Sequence, residues 1–115
     1  MTKILWFARH NMTEDQKGAL EKKFPEGIEI NQVNKTIATA RELENEINEN
    51  DVIAIVAPIG LQAEFLRLAG DKPVITALAE RVLVKQEGEE DKTEFKFVKW
   101  EKLNRIIVEK EDFAE

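Results

Sequence analysis

Val52-Ile53-Ala54-Ile55-Val56-Ala57 is a run of six apolar residues without a charge. Such a run fits a strand covered on both faces and predicts the centre of a sheet in an α/β protein. Lys3 to Ala8 reads the same way, nearly every position being apolar. Between these strands lie segments of helical spacing. Thr13 and Gln16 have the spacing of a capping box, which opens a helix running to about Phe24, with Leu20 and Phe24 on one face. Pro25 and Gly27 end it. Ile28 to Val33 is a second strand. Thr39 and Glu42 form another capping-box pattern, opening a helix that carries Ala40, Leu43 and Ile47 and closes at Asn48 to Asp51.

Pro58-Ile59-Gly60 is a short loop in this reading, and Leu61, Phe65 and Leu68 stripe a third helix that ends at Gly70. Pro73 to Ala77 is a fourth, short strand. Alternating strand and helix implies parallel neighbours joined by right-handed crossovers. After Ala77 the pattern changes. Arg81 to Gln86, Thr93 to Trp100 and Arg105 to Glu109 read as strands linked by Gly88 to Lys92 and Glu101 to Asn104, hence antiparallel. The expectation is one α/β domain over residues 1–115, with a Rossmann-like fold. A parallel body with three helices spans 1–77, and an antiparallel β extension spans 78–110.

At 115 residues the chain can bury a core as one domain. Its net charge of −6 opposes broad binding to duplex nucleic acid but leaves room for a local anion pocket. There is no cysteine, which excludes disulfides, a thiolate nucleophile and a Cys-based zinc site, and suits a reducing cytoplasm. A single histidine argues against a histidine-rich metal centre, and no metal is expected. The chain contains no serine, so no Ser-His-Asp triad can form. No membrane span is expected from the short apolar stretch at the N-terminus. Neither a Gly-x-Gly-x-x-Gly turn nor a P-loop occurs, and no cofactor is expected. That absence weighs against a small-metabolite enzyme on the same body.

Ligands of open parallel sheets collect beyond the carboxyl ends of the strands, where strand order reverses. If the first strand lies between the second and third, that crevice is bordered by Arg9-His10-Asn11 and by Pro58, Gly60 and Gln62. Asn31 and Asn34 join from the second strand, and Thr76 and Arg81 from the fourth. Arg9 can fork onto a phosphate, His10 can move a proton near neutral pH, and helix starts near Thr13 and Gly60 offer free amides. Each has a plainer reading alongside. Thr13 and Gln16 serve as a cap, His10 is satisfied by backbone, and Arg9 covers a strand end or pairs with a carboxylate.

Phe7-Ala8-Arg9-His10-Asn11-Met12-Thr13-Glu14-Asp15-Gln16 resembles the N-terminal signature of small CRISPR-associated proteins of type III systems, compact relatives of the CARF sensor domain. Pro73 to Arg81 is similar to a second segment of some members. Met12 stands where Leu is commoner, and Arg9 where several relatives have Ser. The resemblance implies binding or ring cleavage of cyclic oligoadenylate in antiviral signalling. It also implies a homodimer with a pocket across its two-fold axis. Arg9, His10 and Asn11 would grip phosphate or ribose, with Arg9 and His10 the candidates for catalysis. Gly60 and Gln62 would add amide contacts and Arg81 charge. The alternative is a non-enzymatic interaction module, phage-encoded or not, that meets a protein partner through the Phe95, Phe97 and Trp100 tail.

Overall fold

The computed structural model describes residues 1–84, 92–106 and 113. It is an α/β structure with one five-stranded mixed sheet in the order β2-β1-β3-β4-β5. The strands are β1 (Thr2–Phe7), β2 (Ile28–Val33), β3 (Val52–Ile55), β4 (Val74–Val84) and β5 (Lys92–Leu103). The first four are parallel neighbours and β5 runs antiparallel to β4. The helices among the described residues are α1 (Glu14–Lys23), α2 (Glu44–Glu49) and α3 (Ile59–Ala69). None is long and apolar enough to cross a membrane.

Both apolar runs occupy the middle of the sheet, and side-chain alternation divides their residues between two apolar layers. Leu5, Phe7, Ile53 and Ile55 pack with Leu43, Ile47 and Phe65 beneath α2 and α3. Ile4, Trp6, Val52 and Ala54 pack with Met12 and Leu20 on the α1 side. The α1 layer is reinforced by polar contacts. Thr13 and Gln16 close a full capping box at the start of α1. The Trp100 indole N–H on β5 donates to the Gln16 carbonyl at 3.0 Å, and the Trp6 and Trp100 rings meet edge to face at 5.8 Å.

Several boundaries differ from expectation. β3 ends at Ile55, because Val56 and Ala57 leave the ladder as the chain turns towards α3. Pro58 is the N-cap of α3, so Ile59 and Gly60 belong to its first turn rather than to a loop. The second helix is broken: Ala40–Leu43 is a 3-10 turn, and α2 comes after it. Glu42 and Glu64 hold that turn, the first accepting from the Ala38 and Thr39 amides and the second from the Ala40 amide. Lys72 then caps α2, its ammonium donating to the Ile47 and Asn48 carbonyls.

The largest difference is in the tail. Pro73 to Ala77 and Arg81 to Gln86 are not two strands: β4 runs unbroken from Val74 to Val84, with Lys85 and Gln86 outside the described residues. No Gly or Pro interrupts Leu78-Ala79-Glu80, and pairing with β5 carries the strand beyond the body. β5 likewise continues through Glu101 to Leu103, where a turn was expected. Arg105 and Ile106 lie outside any strand, and the rest of the strand expected at Arg105 to Glu109 is outside the described residues, as is the link at Gly88 to Asp91. The radius of gyration is 17.0 Å, against about 13 Å for a compact domain of this length.

Phe65→Ala empties a fully buried site and should cost about 3–5 kcal/mol in denaturant unfolding. The Glu42 carboxyl is held below its usual value of 4.5 by hydrogen bonds from the Thr39 and Ala38 amides. A depressed folded-state value stabilises above the unfolded value and ceases to do so as pH falls through the folded one. Glu42→Gln should therefore melt below the parent at neutral pH and converge with it in acid.

Candidate functional site

β1 lies between β2 and β3, so the strand order reverses at the β1/β3 boundary. The chain leaving β1 is held tightly there. The Ala8 N–H donates to the Val33 carbonyl and the Val56 N–H to the Phe7 carbonyl. The His10 carbonyl accepts from the Trp6 indole at 3.0 Å and from the Gln32 amide at 2.9 Å. Gln32 also reaches the Ala8 carbonyl, and Asn34 donates to the Arg9 carbonyl at 3.3 Å. Asn34 thus supports the loop backbone. Gln32 performs the same task and was not singled out in the sequence; its signal was a polar side chain breaking the apolar alternation of β2.

Arg9 and His10 diverge. Arg9 continues the Leu5 and Phe7 side of β1, and its guanidinium donates to the Thr36 hydroxyl at 2.9 Å. It lines a cleft of about 210 Å³ together with Lys35, Thr36, Val56, Pro58 and Leu61. His10 continues the Trp6 side, its ring edge-on to the indole at 5.7 Å. It borders another groove, of about 720 Å³, with Gln16, Ala77, Phe95 and Phe97, and the two hollows share Val56. A strand sends successive side chains to opposite faces, and the pair obeys that rule just past the last paired residue.

The Arg9 cleft has the character of an anion site. Two cationic side chains, Arg9 and Lys35, and the Thr36 hydroxyl line it. Pro58, on its wall, is the N-cap of the eleven-residue α3 and makes no side-chain cap, so among the described residues the first amides of that helix have no side-chain acceptor. Gly60 is exposed in this turn, and a Cβ there would meet nothing within 4 Å. Lys35 and Thr36 were missed in the sequence, although a basic residue beside a hydroxyl immediately after a parallel strand is the available signal.

The other candidates are dispersed. Gln62 lies on α3 with its amide spent on the Ala57 carbonyl at 2.9 Å. Asn31 is hydrogen bonded to Asn50 and Glu29, in a hollow alongside α2. Thr76 sits on β4 opposite Glu101, and Arg81 lies out on the ribbon opposite Phe95. Asn11 is exposed in the loop after His10. Of the ten residues singled out, Arg9 and Pro58 share the cleft, and Asn34 braces the Arg9 backbone. Among the described residues, no group of three His, Cys, Asp or Glu side chains could hold a metal ion.

No family model, curated protein or solved structure matches the chain. The loop hydrogen bonds give a direct check. Gln32→Leu removes the donor shared by the Ala8 and His10 carbonyls. It should cost about 1 kcal/mol and accelerate solvent exchange of the Trp6 indole proton in NMR spectra.

Proposed function

We propose that the protein binds a phosphate-bearing nucleotide in the cleft at the β1/β3 boundary. Cyclic oligoadenylate is the ligand class implied by the resemblance of Phe7 to Gln16 to small CRISPR-associated proteins. One observation carries the reading: the Arg9 guanidinium, braced by Thr36, stands in a cleft with Lys35 and the uncapped start of α3. A phosphate there meets a forked donor, an ammonium and free backbone amides together. The position also suits the Rossmann-like reading, whose ligands lie where strand order reverses.

The proposal is for binding. His10 faces the other side of the sheet, so ring cleavage through an Arg9–His10 pair is not part of it. A symmetric ring would be held best by two Arg9 clefts related by a two-fold axis. The proposal therefore includes a homodimer that forms or tightens on ligand, in a cytoplasmic antiviral signalling role.

A thermal-shift series with cyclic tetra- and hexa-adenylate, linear oligoadenylate and ATP tests this reading. Ligand at about 100 times its Kd adds about 2.7 kcal/mol, a rise of roughly 10 °C for a chain of this size. Arg9→Ala should weaken binding about 10- to 100-fold, the worth of a charge-assisted hydrogen bond, while the apo protein melts normally. Unchanged affinity in Arg9→Ala and in Lys35→Ala would remove the reading.

A second reading, a protein-interaction module, has its own support. Phe95 is 75% exposed and Leu83 60% exposed on the ribbon, apolar surface that a protein partner would cover. Phe95→Glu should abolish capture of a stoichiometric protein partner without altering nucleotide binding.

A further inference from the structure

The amino-terminal end of the sheet holds a further concavity, far along the strands from the Arg9 cleft. Val52, Pro73 and Ile75 at the starts of β3 and β4 form its floor. One wall is α1, through Ala19, Leu20 and Phe24, and the other is β5, through Val98 and Trp100. Its volume is about 370 Å³, which falls in the range of small-molecule sites. Phe24 and Trp100, both half-buried, face it with aromatic surface.

Its charge sets it apart. Acidic residues outnumber basic ones 23 to 17 in the chain, yet among the described residues the groove is lined by three lysines and by no carboxylate. Lys23, Lys99 and Lys102 are all exposed and so stand at the mouth rather than in the floor. The strand is shaped for this. Val98, Lys99 and Trp100 line the groove consecutively, which regular alternation forbids. The register shift opposite Leu78 and Ala79 leaves Val98 without a partner on β4. Bulges of this kind re-aim side chains, and here an apolar residue and an ammonium share one side.

We propose that this groove binds a free, single-chain amphipathic carboxylate. The hydrocarbon lies between Phe24 and Trp100, and the carboxylate meets Lys23, Lys99 and Lys102. A hollow of this volume suits one alkyl chain, and the three ammonium groups supply the charge that a carboxylate lacks in hydrocarbon.

Decanoate, kept below its micellar concentration, is the probe. Binding to the full chain is followed by calorimetry and by the fluorescence of Trp100, which lines the site. One-to-one, saturable binding is expected. Octanoate, two methylenes shorter, should bind roughly tenfold more weakly, and uncharged decanol at least about tenfold more weakly than decanoate. The exposed double substitution Lys99→Glu/Lys102→Glu should lose decanoate while melting like the parent, and Ala19→Phe should block the groove by filling it. Arg9→Ala should leave decanoate binding unchanged, which separates this site from the nucleotide cleft. Non-saturable uptake, decanol binding as tightly as decanoate, or full affinity in a folded Lys99→Glu/Lys102→Glu protein would each overturn the proposal.

Discussion

The described structure is arranged around four consecutive residues of β1 that water scarcely reaches. Ile4, Leu5, Trp6 and Phe7 are buried in succession, so the sheet must be covered on both sides and the helices must divide between them. The same alternation governs the loop beyond the strand. Odd positions lead towards α2 and α3, and even positions towards α1 and β5. Arg9 and His10, adjacent in the chain, are thereby assigned to separate concavities.

The two faces are built differently. Beneath α2 and α3 the layer is a continuous apolar cluster centred on Phe65 and the strand residues. Against α1, whose own buried residues are only Gln16 and Leu20, the attachment depends more on specific polar geometry. The Thr13–Gln16 cap organises the first turn, and the Trp100 indole grips the carbonyl of the same glutamine. β5 also has to manage being the sheet edge. The Val98 bulge and the exposed Lys96, Lys99 and Lys102 blunt it against further strand pairing.

Much of this was legible in the residues. The two apolar runs, the parallel body and the Thr13–Gln16 box arise from local pattern, whereas the place of β1 between β2 and β3 is a matter of tertiary order. What escaped was set by tertiary partners. Nothing in Leu78 to Glu80 announces a strand, since its extension depends on β5 lying alongside. The break at Ala40–Leu43 reflects a Glu64 contact from α3, distant in sequence. The candidate site was read as one cluster because neighbours in a loop were treated as neighbours in space. Strict alternation was the available corrective, and it separates Arg9 from His10. Lys35 and Thr36 were passed over because the segment after β2 carries no apolar period to draw attention to it.

The α1 clamp has a thermal consequence. Hydrocarbon burial weakens on cooling, whereas hydrogen bonds of a cap and an indole carry little of the associated heat-capacity change. The larger apolar cluster, under α2 and α3, therefore contributes more of the heat-capacity change on unfolding than the polar clamp does.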